Sequence, residues 1–218
     1  SKYFSPDMNV LEIGARIPSA YKEALGDINL DWNYLDIDGA GIGSDLSSMD
    51  RTEKLDYLTI DNYNFAIDHD TFDIVLSGQV LEHVPNFKDV LKECYRILKP
   101  GAVMLISVPS YLPESLCWKY SKEYMQTPGG HIRIFKKAFL KECFRELNLK
   151  VFKYHREHAI HSIYWILKAR NNMQEDKFLK SLHALLVRQM FGQAKISLFI
   201  EKMLNPFFGK SECFYLRK

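Results

Sequence analysis

The chain lacks several signals that would have narrowed its class at once. None of its four cysteines, Cys94, Cys117, Cys143 and Cys213, forms a C-x-x-C pair. That excludes the usual zinc and dithiol patterns, and no metal site is expected. Glycine (11) and proline (8) are too sparse across 218 residues for a low-complexity or collagen-like chain. Charge of one sign is not in excess: a formal net charge of +2 gives no global reason to expect nucleic acid as a partner. No apolar run approaches the roughly 18 residues that span a bilayer, and no signal-peptide pattern is visible. The chain opens on Ser1 rather than Met, as a trimmed fragment would. Cys94 and Cys143 fall on apolar helix faces, which reads as core thiols in a reducing compartment, so a cytoplasmic location is expected.

What is present is an alternation of short apolar runs with helical patterns. Residues 9–13, 33–37, 57–60, 72–77 and 102–108 read as strands rich in Val, Ile and Leu. Phe87, Val90, Leu91, Cys94, Tyr95 and Leu98 share a helical face, and Lys99-Pro100-Gly101 reads as its stop. A second amphipathic helix carries Phe139, Leu140, Cys143, Phe144 and Leu147. Residues 151–155 and 212–216 give two further strands, with helical periodicity between them. There, Phe178, Leu182, Leu185, Leu186 and Met190 share one face, as do Ile196, Phe199, Ile200, Met203 and Leu204, before Asn205-Pro206 ends the pattern. The expectation is an α/β fold. Its mostly parallel seven-stranded sheet carries helices on both faces and a helical insertion before the last strand.

In an open parallel sheet, ligands bind beyond the carboxyl ends of the strands. The first candidate strand ends in Glu12-Ile13-Gly14, and Ala15-Arg16-Ile17-Pro18 follows in place of a glycine-rich loop. The second ends in Asp36-Ile37-Asp38, where a carboxylate can accept two hydrogen bonds from ribose hydroxyls. The third ends in Asp61-Asn62, suited to a base amino group, and the fourth runs into Gly78-Gln79-Val80-Leu81-Glu82-His83. One strand-end acid is weak evidence, since such acids also cap helices and form turns. Four suitable strand ends in order are a stronger signal.

The segment "FAIDHDTFDIVLSGQVLEHVPNFKDVLKECYRILKPGAVMLISVP" resembles the central block of class I S-adenosylmethionine-dependent methyltransferases, in their small-molecule branch. The resemblance covers roughly residues 9–160 and the last strand. It implies a Rossmann-like fold, S-adenosyl-L-methionine as cofactor and S-adenosyl-L-homocysteine as product. It divides the chain into a cofactor-binding core at 1–160, a helical insertion or cap at 161–208 and a final core strand at 209–218. Glu12, Gly14, Ala15, Arg16, Asp38, Asp61, Asn62, Gly78 and Gln79 then become the expected cofactor-binding residues, Asp38 at the ribose and Asp61 at the adenine. The departure lies after Gly14, where the family's other two glycines are Arg16 and Pro18. Arg16 could donate a charge-assisted hydrogen bond to the methionyl carboxylate or simply face solvent.

For catalysis the candidates are His131, in "TPGGHIRIF", His83, in "VLEHV", and Tyr111. His83 is expected to begin the helix after the fourth strand. The aromatic stretch 110–130 is expected to be a loop placed as a lid. His155 and His158 read as packing histidines. The insertion 161–208 is basic and amphipathic. It reads as a cap or homodimer contact, or as a peripheral contact with an anionic membrane. The leading expectation is methyl transfer to an oxygen, nitrogen or carbon of a small-molecule or glycan- or lipid-linked acceptor. The alternative is a scaffold protein that keeps the fold without catalysis. A nicotinamide-dependent dehydrogenase is disfavoured by the "VLEHV" match, and nucleic-acid methylation by the absence of an Asn/Asp-Pro-Pro-aromatic motif.

Overall fold

The structure is a computed structural model that describes residues 2–14, 20–35, 65–190 and 192–218. Six strands form one sheet: β1 (Asn9–Ile13), β2 (Asp31–Leu35), β3 (Phe72–Gly78), β4 (Leu98–Pro109), β5 (Lys150–Glu157) and β6 (Ser211–Arg217). Their order is β2-β1-β3-β4-β6-β5. β1 is parallel to both neighbours, with Ile13 opposite Leu35 on one side and Ser77 on the other. The strand order therefore turns around between β1 and β3, where ligands of Rossmann-like sheets bind. β6 runs against β4: Gly101 donates to the Lys218 carbonyl, whereas Ser110 donates to that of Lys210. The architecture is the expected Rossmann-like α/β fold, with six strands described. The candidate strand at 57–60 lies outside the described residues.

Eight helices accompany the sheet among the described residues: α1 (Ala20–Leu25), α2 (Phe87–Ile97), α3 (Tyr111–Tyr120), α4 (Lys122–Met125), α5 (Lys137–Glu146), α6 (Ala159–Arg170), α7 (Lys177–Met190) and α8 (Lys195–Phe208). The chain divides into two compact units. One comprises Ser1–Ile106, Lys141–Lys153 and Tyr215–Lys218, and the other Ser107–Leu140 and Tyr154–Phe214. In the first, Val10, Trp32, Tyr34, Ile74 and Leu76 form a core against which Phe4, Met8, Leu25, Leu30 and Leu105 pack. β1 is apolar on both faces because it is central and parallel. α2 buries Phe87, Val90, Leu91, Cys94 and Ile97, the face its period indicated. In the second unit, Ile160 and Tyr164 of α6 meet Leu179 and Leu186 of α7.

Several expectations shift. The second strand starts two residues earlier than expected, at Asp31, with Trp32, Tyr34 and Leu35 as its buried positions, and residues 36–37 of the expected strand lie outside the described residues. Lys99-Pro100-Gly101 does not end a helix in a turn; it opens β4, where Gly101 pairs with Lys218. Proline is tolerated near the start of a strand. The stretch 110–130 is mostly helical rather than a loop, since Pro113 lies in the first turn of α3, where an amide proton would be spare. Pro206 does not end α8; it sits in the last turn, which Gly209 closes by donating to Asn205. The α8 face expected to be buried is open, with Ile196 80%, Phe199 66% and Met203 64% exposed. α7 turns Leu179 and Leu186 inward and leaves Phe178 exposed.

Candidate active-site residues

The first unit contributes the ends of β1 and β3. Glu12 is buried, and its Oε2 accepts a hydrogen bond from Trp32 Nε1 at 3.1 Å across the β1–β2 pair. Gly14 follows with φ +69° and donates to the Leu35 carbonyl at 2.7 Å. A Cβ at Gly14 would lie 2.4 Å from Val80 Cγ2, so the close approach that demands glycine here comes from the chain itself. At Gly78 a Cβ would meet the Tyr21 hydroxyl at 2.5 Å. Gln79 takes a left-handed conformation, φ +57°, which for a non-glycine residue is a local strain of the kind that gathers at functional sites. Ala15, Arg16, Asp38, Asp61 and Asn62 lie outside the described residues.

One ion pair of this unit was not foreseen, and one expected residue is placed differently. Glu93 and Arg96 of α2 form an i,i+3 ion pair at 2.7 Å. Arg96 donates to the carbonyls of Phe65 (2.8 Å) and Ile67 (2.7 Å), while Glu93 accepts from the Phe65 amide at 2.9 Å. Hydrogen bonding from Arg96 holds the Glu93 carboxyl below its ordinary pKa, although burial opposes this. The pair thus clamps the "FAI" segment. His83 is the other departure: it lies in a turn, its amide donating to the Val80 carbonyl at 2.9 Å, and α2 begins only at Phe87. Pro85 explains this, because the residue before a proline is steered away from helical geometry. The His83 ring stands 4.0 Å from the fully buried Glu82 carboxylate.

The second unit builds a dyad. Glu114, buried on α3, stands with Oε1 2.6 Å from Nδ1 of His131. The Tyr124 hydroxyl donates to its Oε2 at 3.2 Å. Burial alone would raise the Glu114 pKa, but His131, Lys210 and Tyr124 outweigh it and hold the carboxyl below its ordinary range. An ionised Glu114 keeps the imidazole proton on Nδ1, so in the neutral ring the lone pair is on Nε2. Tyr111 is the first residue of α3 and half-exposed, with Lys136 Nζ 5.6 Å from its ring centroid. His155 pairs with Glu157 at 2.9 Å. Sequence reasoning reached His131 but not its carboxylate partner.

The family described as "Methyltransferase domain" matches residues 1–154. The chain belongs to the S-adenosylmethionine-dependent methyltransferases. A ubiquinone biosynthesis O-methyltransferase of Thiobacillus denitrificans is 30% identical to it over 162 residues, which is 63% of this chain and 68% of that protein. Among solved structures, an S-adenosylmethionine-dependent methyltransferase of Archaeoglobus fulgidus shares the fold. It has a TM-score of 0.60 at 18% identity, and the match covers all of this chain and 89% of that one. So does phosphoethanolamine N-methyltransferase 2 of Haemonchus contortus in complex with S-adenosyl-L-methionine, with a TM-score of 0.62 at 18% identity. That match covers 99% of this chain, which spans about half the length of that one (49%).

The cofactor of this methyltransferase is S-adenosylmethionine, and the described strand ends fit it. Gly14 and Gly78 leave neighbouring strand ends without side chains. One residue before Gly78, opposite Ile13, Ser77 Oγ is buried with no hydrogen-bond partner among the described residues. An orphaned polar atom at a strand end is a group that a polar ligand satisfies. Among the described residues, no helix of the methyltransferase is long and apolar enough to cross a membrane.

Proposed function

We propose that this methyltransferase alkylates a hydroxyl oxygen of a small-molecule acceptor, with His131 as general base and Glu114 as the residue that orients it. The observation that carries this reading is the 2.6 Å pair between a buried, ionised Glu114 and His131 Nδ1. S-adenosylmethionine supplies a methyl group already activated on a sulfonium. The protein's part is to align the acceptor and to take its proton. Alignment contributes up to about 7–11 kcal/mol, and a positioned base about 10²- to 10⁴-fold in rate. Tyr124 occupies the second oxygen of Glu114, so the carboxylate is fixed at both ends and the imidazole keeps one tautomer. The O-methyltransferase relative supports oxygen as the methylated atom, and the N-methyltransferase fold neighbour makes an amine the next acceptor to try. Carbon acceptors and glycan- or lipid-linked alcohols belong to the same panel.

In this reading Glu12, Gly14, Ala15, Arg16, Asp38, Asp61, Asn62, Gly78 and Gln79 hold the cofactor, and His83 and Tyr111 are secondary catalytic candidates. The test has two stages. S-adenosylhomocysteine at millimolar concentration should raise the melting temperature by mass action; no shift would favour the scaffold alternative. Methyl transfer to a panel of small alcohols, phenols and amines should then fall about 10²- to 10⁴-fold in His131→Ala, with cofactor affinity kept. Equal losses of turnover and cofactor binding would reduce His131 to a packing residue.

The insertion supports a peripheral contact with an anionic membrane. Its exposed stripe of Ile196, Phe199, Met203 and Phe207 is flanked by Lys195 and Lys202. Flotation with anionic vesicles tests this; protein left unbound but dimeric in solution would assign the stripe to a second copy instead. None of the four cysteines is in a disulfide among the described residues, which fits the cytoplasm.

A further inference from the structure

We propose a divalent transition-metal site, of the kind zinc occupies, formed by His158, His161 and Glu201. His158 precedes α6 in a left-handed conformation, φ 68° and ψ 45°, and His161 lies in the first turn of that helix. The spacing of three puts both imidazoles on one side, with ring centroids 5.3 Å apart and planes at 74°. Glu201 comes from α8, which packs against α6, and is 7% exposed. One ligand atom from each of the three residues can be chosen so that all lie within 4.8 Å of one another.

Two of those atoms lack the bonds that burial normally requires. His161 Nδ1 and Glu201 Oε1 are both buried without a hydrogen-bond partner among the described residues. They stand 4.0 Å apart, too far to bond each other. A zinc ion with bonds of about 2.0–2.1 Å holds tetrahedral ligands about 3.3 Å apart. Small side-chain rotations that draw the three groups together by about an ångström would satisfy both orphans at once. Two imidazoles and one carboxylate suit zinc, cobalt or nickel rather than calcium or magnesium. Three protein ligands also leave a fourth position for water.

The ion fastens α8 to the start of α6, independently of methyl transfer.

The test uses the full chain, stripped with chelator and titrated with Zn²⁺ by calorimetry and with Co²⁺ by visible absorption. One equivalent should bind with a micromolar or tighter Kd and raise the melting temperature. His158→Gln, at an exposed position, should keep the fold and weaken Zn²⁺ at least tenfold, as should Glu201→Gln. His183→Gln, outside the cluster, should bind as the parent does. No uptake at 100 μM Zn²⁺ (on the order of a hundred times a micromolar Kd), or uptake unchanged in both ligand variants, would overturn the assignment.

Discussion

Replacing Gly14 by Ala tests whether the first strand's glycine answers to the cofactor or to the fold. Two costs apply. The backbone is at φ +69°, where a side chain costs about 1–2 kcal/mol. The new methyl would also stand 2.4 Å from Val80 Cγ2, and relieving such an overlap against a buried side chain costs about 1–3 kcal/mol. Gly14→Ala should therefore destabilise the fold by about 2–5 kcal/mol, or about 2–4 °C of melting temperature per kcal/mol at this chain length. Val80→Ala alone removes two methyl groups from a buried site, about 1.5–2.5 kcal/mol with its cavity. In that background the overlap is gone, and Gly14→Ala should cost only the conformational part, about 1–2 kcal/mol. The coupling between the two sites is then about 1–3 kcal/mol. Urea unfolding of the four proteins by far-ultraviolet circular dichroism, without cofactor, measures it. A cost of Gly14→Ala that is the same with and without Val80 would refute the argument. Titration of S-adenosylhomocysteine into the double variant shows separately whether the added methyl obstructs the cofactor.

Glu114→Gln should lower turnover in step with His131→Ala while cofactor affinity holds, because the amide no longer supports the imidazolium that forms as the proton is taken. The same variant should flatten the acid limb of stability. The folded pKa of Glu114 lies below its unfolded value, so its contribution is complete above about pH 4.3 and is lost as pH falls through the folded value; unfolding at pH 6 and pH 3.5 reads the difference. Arg96→Ala removes the donors to Phe65 and Ile67 and should cost about 2–4 kcal/mol, read as a lower urea midpoint. Glu212→Gln should cost about 3–5 kcal/mol, because it leaves Arg156, now 2.8 Å from the buried carboxylate, without its partner. Glu212→Gln should also bring the Tyr154 phenol down from about 12, since that carboxylate helps hold it up, as ultraviolet titration would show.

Much of the fold was legible because strands and helices announce themselves by period. Asn9–Ile13 holds its expected bounds, and α2 buries the face marked by Phe87, Val90, Leu91 and Cys94. The misreadings share a cause. Pro100 and Pro206 read as breaks, yet Pro100 opens a strand, where its missing amide proton costs little, and Pro206 sits inside the last turn of α8, which closes only at Gly209. Pro85, given no weight, is the proline that does redirect the chain and keeps His83 off the helix. Partners distant in sequence were out of reach for a different reason. Glu114 on α3 looks like any surface carboxylate until His131, seventeen residues on, folds against it. Trp32 gives no sign that its indole serves Glu12, twenty residues before it. His158 reads in the sequence as a packing residue, and only the fold brings His161 and, through the packing of α8, Glu201 beside it.

The pairing of Gly14 with Val80 also changes what each motif implies. Val80 belongs to the "VLEHV" block and Gly14 to the first strand's end, and steric contact ties the two together. A protein that had lost catalysis but kept Val80 would still need glycine at 14. Retention of Gly14 therefore says little about whether the enzyme works. The Glu114–His131 pair bears on catalysis more directly, because it joins the proposed base to the carboxylate that orients it. A buried ionised carboxylate carries a desolvation cost, and well-packed apolar residues in place of such a pair are often neutral or stabilising. In the proposed reading that cost is met because the carboxylate holds the imidazole in a single tautomer, and Tyr124 gives the carboxylate a second hydrogen bond.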